Sequence, residues 1–163
     1  MDLVCLDTQV LIWGVQERAR TGQEEMIPRA KYLFSELTRT QTKILIPSIV
    51  VGEFLLGIPL DMHGEMLSNL GESGFITPPY DLLAAARFAA LWKAREEKGL
   101  IEKIKEEYEA RRSQLRADCM IVATALAQNS SCIYSHDRRL RAFAGDAIHV
   151  YDLPTEQRQY DLF

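Results

Sequence analysis

Four carboxylates in this chain could do chemistry together: Asp7, Glu53, Asp118 and Asp137. The last two belong to one stretch, Leu115 to Gly145, LRADCMIVATALAQNSSCIYSHDRRLRAFAG. Asp118 stands beside the start of an apolar, Ala-rich helical run, Met120 to Ala127, which Asn129, Ser130 and Ser131 stop. Cys132, Ile133 and Tyr134 read as a short strand, and Ser135, His136 and Asp137 follow it directly, ahead of a basic turn of helix. One carboxylate is therefore expected at a helix start and another at a strand's C-terminal end, the edge where parallel α/β sheets bind ligands. Two carboxylates converging there would make an oxygen-rich site for a hard divalent cation. Each also has a plainer role, as an N-cap that accepts backbone N–H groups and complements the helix dipole.

Asp7 and Glu53 raise the weight of the metal reading. Leu3 to Leu6 is a continuous apolar run, as in a strand buried on both faces, and it ends at Asp7. Asp7 too could simply cap the next helix, Thr8 to Val15. Glu53 is one charge among Ile49, Val50, Val51, Phe54, Leu55 and Leu56. Such a charge is costly unless it is paired, metal-bound or at a pocket edge, or unless it reaches solvent. Four carboxylates around one cavity would repel one another without a cation. Mg²⁺ and Mn²⁺ suit oxygen-only ligation. Sites of this kind activate a water and stabilise a leaving oxygen in phosphodiester hydrolysis.

The elements that must position these groups alternate. Strands are expected at Leu3 to Leu6, Lys43 to Ile46, Phe75 to Thr77, Cys132 to Tyr134 and Ile148 to Tyr151. Helices are expected with Pro28 in the first turn of one that runs to about Thr38, over Ile49 to Leu56, over Asp61 to Leu70, and from Tyr80 onward. Alternation predicts an α/β fold with a central parallel sheet, helices on both faces and right-handed crossovers. Glu96 to Arg112 is highly charged. Ile101, Ile104, Tyr108 and Leu115 form a helical stripe through it, and Lys98–Glu102, Lys103–Glu107 and Glu107–Arg111 stand at helical neighbour spacing. It reads as a solvated helical face, or else as an arm whose basic end is Arg111, Arg112 and Arg116. Pro154 to Phe163 reads as a polar tail. No repeat, low-complexity block or linker divides residues 1–163, so a single domain is expected, with the charged helical segment at about 94–114.

Composition narrows the function classes. The 163 residues carry a formal charge of −4, so any nucleic-acid contact must come from a local basic patch. Three cysteines, Cys5, Cys119 and Cys132, all in apolar settings, suggest small core residues in a reducing compartment rather than disulfides. The three histidines, His63, His136 and His149, are scattered, and no Cys or His spacing suits zinc. Nothing resembles a signal peptide or a membrane span, so a cytoplasmic location without membrane association is expected.

In order along the chain, VCLDTQVLIWG, IPSIVVGEFLLG, LRADCMIVATAL and SHDRRLRAF resemble the motifs of PIN-domain ribonucleases, particularly the VapC-like toxins of toxin–antitoxin pairs. The resemblance spans nearly the full length. It implies a compact α/β/α sandwich, often a homodimer, that cuts single-stranded segments of structured RNA with Mg²⁺ or Mn²⁺, and that has a small antitoxin protein as partner. It implies that Asp7, Glu53, Asp118 and Asp137 form the acidic site, with Asp7, Asp118 and Asp137 on the metal and Thr8 and Ser135 accessory. Arg116, Arg138, Arg139 and Arg141 are then candidate contacts to RNA phosphates, or else a solvated surface. Gln9 departs from the family pattern, where Asn or Ser is common, and the charged segment is longer than a minimal toxin needs.

Rival readings are fewer. A haloacid-dehalogenase-type phosphatase would want a second Asp where Gln9 stands. No phosphate-cradling Gly-rich loop and no nucleophile-elbow motif is present. Two alternatives stay open: a housekeeping RNA-processing nuclease, and a non-catalytic RNA- or protein-binding module whose acids are structural.

Overall fold

The computed structural model describes residues 2–156. Four short strands, β1 (Leu3–Leu6), β2 (Lys43–Leu45), β3 (Cys132–Tyr134) and β4 (Val150–Tyr151), form one sheet in the order β2-β1-β3-β4. All pairings are parallel, with Val4 opposite Ile44 on one side and Cys132 on the other. The strands are apolar because both faces of the sheet are covered: Cys5, Leu6, Leu45 and Ile133 are fully buried. Connections leave β1 toward β2, then return across it to β3. This reversal makes the β1/β3 junction the switch point, so a crevice is expected beyond the C-terminal ends of those two strands.

The helices are α1 (Thr8–Gly14), α2 (Met26–Arg39), α3 (Ser48–Leu55), α4 (His63–Glu72), α5 (Leu82–Glu97), α6 (Leu100–Glu107), α7 (Arg112–Ala127) and α8 (Arg138–Ala144). Trp13, Leu33, Phe54, Leu115 and Phe143 bring α1, α2, α3, α7 and α8 into one core with the sheet. Burying each such side chain contributes roughly 1.5–3 kcal/mol. On α7, Ala123 and Ala125 are fully buried among Cys119, Ile121 and Val122.

Several boundaries differ from those expected. The strand at Phe75 to Thr77 is reduced to one parallel bridge between Leu45 and Ile76. Gly74, at φ +75°, precedes it, and Pro78 and Pro79, which have no N–H to donate, follow it. Pro28 is the third residue of α2, within its first turn as expected, where an N–H would have no intrahelical acceptor. The last strand shortens to two residues. The helix carrying Asp118 begins at Arg112, so Asp118 lies mid-helix and cannot be its N-cap.

The charged segment divides at Gly99, which takes the left-handed φ of +68°. Its apolar stripe is docked, with Ile101 and Ile104 buried, so it is not a projecting arm. The ion pairs formed are Lys105–Glu102, Arg112–Glu96 and Arg112–Glu102 rather than those read from simple spacing. Gly99 breaks the register for Lys98 and Glu102, and the end of α6 at Glu107 breaks it for Glu107 and Arg111; Lys103 and Glu107 share α6 and still form no ion pair. Of the polar tail, residues 157–163 lie outside the described residues.

Candidate active site

Asp7 ends β1, at the switch point. Its backbone N–H continues the parallel ladder to the Tyr134 carbonyl at 3.2 Å, which fixes where its side chain emerges. Its Oδ1 accepts from the Thr8 N–H at 2.7 Å, so Asp7 does cap α1. Its Oδ2 accepts from Ser135 Oγ, also at 2.7 Å. Ser135 is fully buried just past β3, and its Oγ in turn accepts the Asp137 N–H at 3.0 Å. One hydroxyl thus ties the loops after the two central strands together.

Asp137 caps α8, its Oδ1 accepting from the N–H groups of Arg139 and Leu140 at 2.8 and 3.4 Å. Glu53 projects from α3, where its Oε2 accepts from Thr8 Oγ1 at 2.6 Å. The charge that looked costly on an apolar helix is therefore hydrogen-bonded, at the mouth of a cavity. Asp118 reaches the same place from the middle of α7. Arg139 grips it in a two-toothed pair, Nε to Oδ2 at 2.7 Å and Nη2 to Oδ1 at 3.1 Å, and also reaches Asp137 Oδ2 at 3.1 Å. Bidentate guanidinium–carboxylate pairs of this kind are strong and directional.

A cavity of about 320 Å³ joins these groups. Asp7, Thr8, Glu53, Asp118, Asp137 and Arg139 line it, together with Gln9, Ile12, Gln114, Ala117 and Ile121. Four carboxylates thus face one guanidinium. Burial pushes the Asp7 carboxyl up to about 6 against the bonds from Ser135 and Thr8, and the charges of Asp137 and Asp118 push it the same way. Burial likewise pushes Asp118 up to about 6, although Arg139 opposes the shift. Asp7 and Asp118 are 7% and 4% exposed, so both are ionised only at a cost.

Among the described residues, no three acidic, His or Cys side chains are already drawn close enough to hold an ion. Arg139 lies between Asp118 and Asp137. The donor set nonetheless fits Mg²⁺ or Mn²⁺: the acids on the cavity offer only hard oxygens, and a cation would offset the burial and the repulsion that raise Asp7 and Asp118.

The candidate phosphate contacts divide. Arg139 belongs to the acidic site. Arg138 and Arg141 are exposed, with no ion-pair partner among the described residues. Arg116 sits over the Trp92 ring, 5.8 Å from its centroid, and does not line the cavity. Gln114 was not singled out from the sequence. Its one signal was its place four residues before Asp118, which puts both on one helical face once α7 is known to start at Arg112.

The chain belongs to the PIN domain family, whose model matches residues 4–146. The fold is similar to several solved VapBC toxin–antitoxin structures. VapBC2 from Rickettsia felis, solved bound to a DNA fragment from its promoter, contains a chain that matches with a TM-score of 0.65 and 15% identity, covering 93% of this chain and 99% of that one. DNA-bound VapBC from Salmonella typhimurium matches at 0.60 with 19% identity, covering 94% and 100%. VapBC-5 from Mycobacterium tuberculosis matches at 0.52 with 17% identity, covering 95% and 100%. No curated protein sequence matches. No helix among the described residues is long and apolar enough to cross a membrane.

Proposed function

We propose that this PIN domain is a Mg²⁺- or Mn²⁺-dependent endoribonuclease that cuts single-stranded segments of RNA, and that it is the toxin of a toxin–antitoxin pair. The observation that carries the reading is the meeting of Asp7, Glu53, Asp118 and Asp137 on one cavity. The toxin role is supported by likeness to chains from VapBC complexes. A small antitoxin and a second copy of this chain are the protein partners it entails.

Asp7, Asp118 and Asp137 would hold the divalent cation, which would supply positive charge to the scissile phosphate and to the departing oxygen. Ser135 holds Asp7 and the Asp137 backbone in register, so two of the three ligands are pre-positioned by one buried hydroxyl. Thr8 fixes Glu53 Oε2, leaving Oε1 to take a proton from the attacking water. The water oxygen bonds to phosphorus as the P–O bond to the leaving nucleotide breaks. Arg139 pairs with both Asp118 and Asp137, so a bound cation would share these carboxylates with it, and its guanidinium is the protein's own positive charge on the cavity for a phosphate oxygen.

Cleavage of a panel of structured RNAs by wild type and Asp118→Asn, with Mn²⁺ or with EDTA, tests the reading. Metal-dependent cutting by wild type alone supports it. No cutting, with no Mn²⁺ uptake by calorimetry, favours a non-catalytic module. Growth arrest on expression, relieved by a co-expressed partner, separates a toxin from a housekeeping nuclease.

A further inference from the structure

Two further cavities adjoin the acidic one, and Gln9 lines all three. The first, of about 220 Å³, meets the acidic cavity at Gln9 and Ile12. The second, of about 200 Å³, meets it at Gln9 and Asp137 and contains Trp13, Arg20, Gln23 and His136. Both also share Trp13 and Arg20 with each other, so the three form one continuous surface. Each is below the roughly 300 Å³ at which pockets begin to enclose drug-sized ligands, a size suited to one ring system at a time.

The walls of this surface combine aromatic rings, side-chain amides and a guanidinium. Trp13, 2% exposed, is its floor. His136 is the exposed ring, and it meets Trp13 edge-on with centroids 6.1 Å apart and planes at 69°. It is held there: Nδ1 lies 2.9 Å from Asp152 Oδ1, and the same carboxylate oxygen pairs with Arg29 at 3.5 Å. Arg29 also donates to the Leu153 carbonyl. A surface histidine anchored by a chain of three residues has lost the side-chain entropy that a base would otherwise have to remove. Arg20 is exposed and has no ion-pair partner among the described residues. The side-chain amides of Gln9 and Gln23, both half-buried, hydrogen-bond no other described residue. An amide offers a donor and an acceptor together, the pattern that reads a base edge.

We propose that this surface is the subsite for the nucleotide flanking the scissile phosphate. His136 stacks its base, Gln9 and Gln23 read the base edge, and Arg20 holds its phosphate. The proposal rests on the nuclease reading and deepens it. The acidic cavity repels phosphates other than the one its cation holds, so the strand must leave it toward positive charge, and Arg20 marks such an exit. The subsite admits an unpaired base, because a paired base keeps its edge and one or both faces covered.

The test is binding of fluorescein-labelled oligouridylate and oligoadenylate to the full chain in EDTA, together with Mn²⁺-dependent cleavage kinetics. Arg20→Ala should weaken binding about tenfold and lower the slope of affinity against salt by about one ion. His136→Ala should weaken binding about tenfold, as loss of a stacked base does. His136→Phe, which keeps a ring and loses the Asp152 contact, should restore most of it; a purely structural role for His136 would leave the Phe variant as weak as Ala. Gln9→Leu and Gln23→Leu should alter the preference between the two oligonucleotides. The kinetic losses should fall on KM more than on kcat. Wild-type cleavage with unchanged KM and affinity in Arg20→Ala and His136→Ala would overturn the subsite and leave the nuclease intact. A wild type that neither binds nor cuts RNA would remove both.

Discussion

The acidic cavity and the charged segment from Glu96 to Arg116 use the same side chains to opposite ends. In the cavity, Arg139 pairs with Asp118, whose side chain is 6% exposed, and the carboxylates there outnumber the available cation. Along the segment, Arg112 pairs with Glu96 and Glu102, all of them substantially open to water. The first arrangement is strained by burial, which pushes Asp7 and Asp118 up to about 6. The second is relaxed by solvent, where an ion pair contributes about 0–1 kcal/mol. The cost of concentrated charge is tolerated in the cavity, where a cation can discharge it. The segment's charges keep a docked helix hydrated.

The largest test of this contrast is chemical. Asp7→Asn and Asp118→Asn should each lower metal-dependent RNA cleavage by roughly a hundredfold or more, since each removes a carboxylate that the proposed site needs, while circular dichroism stays native. Full activity in both would end the assignment.

Arg139→Ala comes next. It leaves Asp118 buried without its partner, so denaturant unfolding in EDTA at pH 7 should show a loss of about 2–3 kcal/mol, toward the low end for breaking a buried pair because Arg139 is itself partly exposed. In an Asp118→Asn background the loss should shrink, which a double-mutant cycle measures directly. Mn²⁺ should bind the Arg139→Ala protein more tightly than wild type by calorimetry, since guanidinium and metal compete for the same carboxylate.

A third test uses pH. The folded-state values of Asp7 and Asp118 lie above the ordinary 3.8, at about 6. The folded protein therefore binds more protons than the unfolded chain between those values. The stability from protonating these groups is fully present below about 3.8 and is lost as pH rises through about 6. Metal-free protein should thus lose stability from this source between pH 5 and pH 7, on the order of 1 kcal/mol per group. Asp7→Asn and Asp118→Asn should each flatten the profile, and saturating Mn²⁺ should flatten it too. An unchanged slope in both variants would show that burial does not tax these acids.

The smallest expected effect is on the segment. Arg112→Ala removes two exposed ion pairs and a cation over Trp92, 5.2 Å from its centroid. The change should stay below about 1 kcal/mol and shrink further in high salt. A loss as large as that of Arg139→Ala would erase the distinction between the two regions.

The sequence was legible where chemistry is local. Apolar runs of four and three residues, stopped by Asp7 and by Ser135-His136-Asp137, declared a buried parallel sheet and the edge where its acids emerge. The caps made by Asp7 and Asp137 followed from residue type beside a helix start. It was less legible where boundaries depend on distant partners. Phe75 to Thr77 has the composition of a strand but has pairing room for one bridge only. Asp118 looked like a helix cap because the apolar run of α7 becomes dense only at Met120, while its start, Arg112 to Arg116, is polar but for Leu115.

Residue type and spacing alone determined that this chain would present an acidic, oxygen-only site on an α/β sheet, because strand ends and helix caps are set by neighbours in the chain. Only the tertiary structure decided which groups answer those acids. Thr8 meets Glu53 across 45 residues, Ser135 meets Asp7 across 128, and Arg139 turns inward to Asp118 across 21. Such pairings depend on how strands order and helices pack. A buried carboxylate takes whichever donor the fold brings within hydrogen-bonding reach, and chain neighbours seldom supply it.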